Sequence, residues 1–216
     1  MIPRASLALQ VELNRTHFAR LRSYAAQAIQ TTDKISAIST AAQFAAHTGT
    51  GVFRAPDLDH MLADISDSLQ KFSRRPQHGV LHVMTQAYSN GGHTRVVERW
   101  IKQDSSKRQH SVVLTGQGGL AVPQLLAAVV AETGGKLLHL DAYEPLLIQA
   151  IELRAIAAKF DHIVTHSHMH DVIPSLAFSA TDFPVIFYNH ADHRFSLGMS
   201  TATTVAETRS WGKRLS

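Results

Sequence analysis

Apolar residues recur every three or four positions through the first part of the chain: Leu7, Val11, Phe18, Leu21, Ala25 and Ile29, then Ile35, Ile38, Ala42 and Ala45. That period sets them along one side of a helix, so two helices are expected before residue 47. The run HTGTG from His47 stops the second, with Gly49 and Gly51 suited to a helix C-terminus. Pro56 and Asp57 open a third helix whose Leu58, Leu62, Ile65 and Leu69 share a face. Residues 1–75 read as a helical N-terminal extension that packs on the rest of the chain or mediates association. SRRPQHG is its linker.

From Gly79 the pattern changes. Short continuous apolar runs (VLHVMTQA, SVVLTG, KLLHLD, HIVTHS, PVIFYNH) alternate with helical stretches from Thr94 to Asp104, VPQLLAAVVAETGG, YEPLLIQAIELRAIAAKF and VIPSLAFSA. Strands that are apolar throughout, each followed by a helix, predict a parallel sheet covered on both faces. Residues 76–216 are therefore expected to form a Rossmann-like α/β domain, with helices on both faces of the sheet.

Such a sheet binds ligands beyond the carboxyl ends of its strands. The residues after each expected strand are rich in glycine and histidine. They are Tyr88, Ser89, Asn90, Gly91 and Gly92; Gly116 to Gly119; Asp141 and Tyr143; His166, Ser167, His168 and His170; and Asn189, His190, Asp192 and His193. In SNGGH the glycine pair either makes a tight strand-to-helix turn or lets backbone amides approach a phosphate at the helix start. GQGGLA lacks the full G-x-G-x-x-G spacing, so a nicotinamide cofactor is not expected. THSHMHD resembles the H-x-H-x-D-H ligand run of metallo-β-lactamase-like hydrolases, with its last two residues exchanged. A metal there needs further converging ligands, such as Asp192 and His193. The alternative is a polar strand end bonded locally, and no metal is expected. An imidazole in YNHADH suits proton transfer or contact with sugar hydroxyls.

Composition narrows the choice. The chain has 216 residues and no cysteine, which removes thiol catalysis and disulfides. A net charge of +4 without a basic stripe does not suggest a nucleic-acid partner. No apolar stretch approaches a membrane span, and MIPRASLALQVELNR is too polar for a signal peptide, so a cytoplasmic protein is expected. Histidine is abundant, at 14 residues.

The segment LHVMTQAYSNGGHTRVVERWI resembles the opening strand, glycine loop and helix of GT-B glycosyltransferases. FDHIVTHSHMHDVIPSLAFSATDFPVIFYNHADH is similar to the later part of the same N-terminal domain, so the resemblance spans Gly79 to Gly198. It implies an acceptor-side domain facing a second, donor-binding domain across a cleft. The partners implied are a nucleotide-sugar donor and an unknown acceptor. Gly91 and Gly92 match the loop that approaches the donor phosphates and sugar, and His190 matches the histidine facing the reacting sugar. His166 and His168 match the other strand end lining the cleft. His93, Asn189 and Asp192 flank these positions as further substrate-binding candidates. The family generally needs no metal, and no cofactor is implied. No paired-glutamate donor motif is present, so the donor domain is expected beyond Ser216 or on another chain, with little activity from this polypeptide alone. Two other readings stand beside this one. The first is a non-catalytic binding or assembly module with the N-terminal helices as its interaction surface, through which the chain could oligomerise. The second is a metal-dependent hydrolase using His166, His168, His170 and Asp192.

Overall fold

The computed structural model describes residues 4–77, 79–104, 106–191 and 193–207. Three helices come first: α1 (Arg4–Gln27), α2 (Thr31–His47) and α3 (Pro56–Asp67). Next come β1 (Gly79–Met84), α4 (Gly92–Gln103), β2 (Gln109–Leu114), α5 (Gln124–Glu132) and β3 (Leu137–His139). The second half runs α6 (Leu146–Ala157), β4 (His162–His166), α7 (Val172–Phe178), β5 (Val185–Asn189) and β6 (Thr204–Glu207). The α/β fold expected from the pattern is the one found. All five strand pairings are parallel, in the order β3-β2-β1-β4-β5-β6. The chain builds outward from β1 in one direction, then returns to β4 and builds in the other. The crevice between the ends of β1 and β4 is thus the topological switch point where such sheets hold ligands.

Side chains alternate across the sheet, and the two faces have separate apolar clusters. Met84, Val112 and Leu114 meet Val97 and Ile101 of α4 and Leu126, Val129 and Val130 of α5. Leu81, Val83, Val113, Ile163 and Val185 point the other way, into a larger cluster. That cluster takes in α6, α7 and the apolar faces of α1, α2 and α3, so the N-terminal helices share a continuous core with the sheet. Ile35, Ile38, Ala42 and Ala45 of α2, and Leu58, Leu62, Ile65 and Leu69 at α3, are buried as their spacing predicts. The α1 stripe holds only in part. Phe18 and Ala25 are buried, whereas Leu7 is exposed and Ile29, at 92% exposure, lies in the connection to α2.

Two features tie the layers together. Arg154 of α6 is almost wholly buried at 1% exposure. Its guanidinium donates to the carbonyls of Leu176 and Ala177 at the end of α7, and to those of Ser66, Leu69 and Gln70 at the end of α3. It also donates to the Ser66 hydroxyl at 2.7 Å. The last carbonyls of a helix lack intrahelical partners and carry partial negative charge, so one cation serves two helix ends. Gly135, after α5, packs against β2, where a Cβ would fall 1.7 Å from the carbonyl oxygen of His110. Gly135 is therefore required by close backbone approach, and Gly134 before it by its left-handed φ of 75°.

Candidate functional site

The loops at the switch point are held from below. Gln117, after β2, accepts from the Ala87 amide at 2.8 Å and donates to the Ala87 carbonyl at 3.1 Å. The β1 and β2 loops are thereby clamped in pairwise fashion, like strands of a sheet. Gly91 caps α4 with ordinary extended φ of −82°, and neither glycine of the pair has positive φ, so no left-handed turn demands them. Gly91 is fixed by crowding instead. A Cβ there would lie 3.2 Å from the Cβ of Tyr88, whose amide donates to the Thr94 hydroxyl. At Gly92 an added Cβ would meet nothing within 4 Å, so this glycine leaves open space at the start of α4.

Histidines converge above that space. His93, at the start of α4, lies face to face with His190 at the end of β5, with ring centroids 3.8 Å apart. Nδ1–H of His93 donates to the carbonyl of His166 at 3.2 Å, which leaves its Nε2 as the acceptor. His168 lies parallel to the Tyr88 ring and edge-on to His93, at centroid distances of 6.4 and 6.1 Å. His47, from the end of α2, reaches His170 with ring centroids 5.1 Å apart. Its segment lines a cavity of about 360 Å³ together with His193 and Arg194. The helical extension thus contributes to the walls around the strand ends.

The site extends into the sheet through His82 and His110, which the sequence pattern does not single out. His110 of β2, His82 of β1, His166 of β4 and His190 are bonded ring to ring across four neighbouring strands. The N···N distances are 3.0, 3.1 and 3.0 Å. Register explains the row. His82 pairs with Val112 and with Val164, so His110 sits two residues behind it and His166 two residues ahead, on the same face. His190 is a further two residues ahead of Tyr188, the neighbour of His166 on the next strand. The Trp100 ring of α4 stands edge-on to His82 and His166. At the far end, Nε2 of His110 meets the Asp104 carboxylate at 3.0 Å.

Burial sets the charge of this row. Desolvation pushes His82 down to about 3, helped by His110 and opposed by Asp104. It pushes His190 down to about 3, helped by His93. His166 is held well below its ordinary value, and His110 is lowered by burial against the pull of Asp104. The Ser106 hydroxyl, with the Ser106 amide, His110 and Arg108, holds the Asp104 carboxyl below the usual carboxylate range. The row is therefore neutral imidazole ending on an ionised carboxylate at neutral pH.

Of the expected site residues, the fold brings together Gly91, Gly92, His93, His166, His168 and His190. Asn189 does not join them. Strand alternation turns it to the other face, where it donates to both Glu207 oxygens on β6 at 3.0 and 3.1 Å. Asp192 lies outside the described residues. His166 has both ring nitrogens bonded to other imidazoles, and so offers no free donor to a metal. Asp171 is equally committed, accepting from Thr85, Thr115 and the Ile173 amide as the N-cap of α7. Among the described residues no group of three or more histidines and carboxylates is arranged to hold a metal ion.

No family model matches the sequence, and no curated protein matches it. Among solved structures the chain is similar to eIF2B beta from Chaetomium thermophilum. The identity is 12%, over 89% of this chain and 77% of that one, with a TM-score of 0.34. That is too distant a likeness to bear on function. No helix among the described residues is long and apolar enough to cross a membrane.

Proposed function

We propose that the chain is the acceptor-side half of a nucleotide-sugar-dependent glycosyltransferase, in which His190 takes the proton from the acceptor hydroxyl. The observation that carries this reading is the position of His190. It stands at the end of β5, beside the switch point of the sheet and next to the open start of α4, stacked on His93 and bonded from behind by His166. In this reading the amides at the start of α4 face the donor's phosphates, where Gly92 leaves room. His168 and the cavity bounded by His47, His193 and Arg194 offer polar contacts to acceptor hydroxyls. A neutral imidazole can accept a proton, but burial lowers His190 to about 3, so in this reading the charge of the bound donor diphosphate must raise it toward neutrality for the transfer. The donor-binding wall belongs to a second domain.

The test supplies this chain with a donor-binding domain, in the same chain or as a partner, and assays sugar transfer and hydrolysis with a panel of nucleotide sugars. His190→Ala is expected to lower kcat about 100-fold or more in protein that circular dichroism shows to be folded. Equal turnover by variant and parent, or no nucleotide sugar bound by either, would sink the proposal.

A second reading has its own observation. Leu9 and Leu13 of α1 are 62% and 56% exposed and lie four residues apart, so they form an apolar strip facing solvent. This favours association of two copies through α1, as an assembly module or in addition to catalysis. Light scattering should then give a dimer mass that falls to that of a monomer in the Leu9→Glu, Leu13→Glu double variant. A monomer for the parent chain would remove this reading.

A further inference from the structure

We infer that Asp104 fixes the tautomer of His190 from the far end of the same row, through a one-directional chain of three buried imidazoles. Donor counting sets the direction. A neutral imidazole has one N–H and one lone pair, so a row of them bonded in series is polarised by whatever ends it. Asp104 ends this row as an acceptor only. Its Oδ1 receives the Ser106 hydroxyl and amide, and its Oδ2 receives Arg108 and Nε2 of His110. His110 therefore carries its proton on Nε2 and turns a lone pair on Nδ1 toward His82. His82 must donate from Nε2, and His166 must then donate from Nε2 to Nδ1 of His82. His190 donates from Nε2 to Nδ1 of His166. The one nitrogen left over is Nδ1 of His190, which carries a lone pair.

Asp104, His110, His82 and His166 are thus positioning residues, and His190 is the group they prepare. The two ends of the row lie on opposite sides of three ring-to-ring steps of 5.3 Å each. Two features show that the row is built for this purpose. His82, His110 and His166 are at most 1% exposed, in strand positions where the neighbouring sequence supplies Val, Leu and Met. Burying three polar rings there opposes folding unless every nitrogen is bonded, and each of theirs is. In addition, Asp104 comes directly after α4, at the helix end where the dipole disfavours an acid, and is retained there by four donors. The groups facing His190 apart from His166 are the His93 ring of α4 and the Tyr188 ring of β5, and neither is bonded to its Nε2.

The tautomer chain is a property of this polypeptide and stands or falls without the transferase reading. Its test is the long-range proton–nitrogen NMR correlation of the imidazoles in histidine-labelled full-length protein at neutral pH. All four rings are expected to show the Nε2–H tautomer. In Asp104→Ala the anchor is lost, and His190 is expected to change from one tautomer to a mixture, although the substitution lies three strands away. His82→Phe should leave His110 on Nε2–H while releasing His166 and His190. His82→Gln, whose amide donates to His110 and accepts from His166, should restore the single form at His190. An Nδ1–H signal for any of the four rings in the parent protein overturns the inference by itself, even if a variant fails to fold. So does a His190 spectrum left unchanged by Asp104→Ala or by His82→Phe.

Discussion

Replacing Arg154 by methionine is expected to destabilise the protein by roughly 3–5 kcal/mol, among the largest effects of any single substitution here. The methionine fills much of the same space and is apolar, so the loss isolates the hydrogen bonds. After the change the carbonyls of Leu69, Leu176 and Ala177 lose the buried donor that Arg154 supplies, while the Ser66 carbonyl keeps the Leu69 amide. Each such acceptor costs on the order of 1–3 kcal/mol when stranded, with relaxation recovering part of the total. The effect is also architectural. α3 belongs to the helical extension and α7 to the α/β layer, and the guanidinium bonds to both, beside the Ser66 hydroxyl, which donates to the Ser179 carbonyl. Thermal unfolding followed by circular dichroism should show a midpoint lowered by about 6–20 °C. A shift below about 2 °C would mean that these helix ends are satisfied without Arg154. Lysine is not a conservative replacement, because one ammonium cannot span carbonyls arranged around a planar fork.

The contrast between Arg154 and Leu58 shows what the sequence could and could not convey. Leu58, Leu62, Ile65 and Leu69 repeat at helical period, and a period is a local property, so their burial comes from the spacing alone. Arg154 sits in ELRAIAAKF, where a basic residue reads as solvated helix surface. Its burial depends on two helix ends from distant parts of the chain arriving beside it. The strands were legible because parallel strands are apolar on both faces. β6 was not, since TVAE is a four-residue edge strand whose side chains are not fully buried. In the site, the loops were legible because the fold rule names the strand ends in advance, which brought out His93, His166, His168 and His190. The rest of the row was hidden by register. His82 stands alone in GVLHVM and His110 is the second residue of its strand, and nothing in either segment says that the two rings meet. A lone histidine at the centre of an otherwise apolar strand was the available signal. Asn189 shows the converse: it adjoins His190 in sequence, and alternation sends it to the opposite face.

Lowering the pH from 7 to 5 is expected to remove a large part of the folding free energy, because the row of buried imidazoles must stay neutral. A histidine whose value falls on folding binds its proton more tightly in the unfolded chain. Protons therefore favour unfolding from the ordinary value near 6.5 down to the folded value. Stability is full above that window and is lost as the pH falls through it. His82 is lowered to about 3 and is wholly buried, so it alone accounts for about 2 kcal/mol between pH 7 and pH 5. His166 is held well below its ordinary value, and His190, His110, His93, His168 and His170 act with the same sign. Asp104 does not offset them, since its depressed value makes it a source of stability lost only at lower pH. Against a typical domain stability of about 5–15 kcal/mol, the sum brings the protein close to unfolding near pH 5. Urea unfolding midpoints at pH 7.5, 6.5, 5.75 and 5 should be nearly flat above 6.5 and fall steeply below it, and His82→Phe should reduce the slope. A midpoint that does not move between pH 7 and pH 5 would mean that these rings take up protons without leaving the fold, and that the imidazole row is not held neutral by burial.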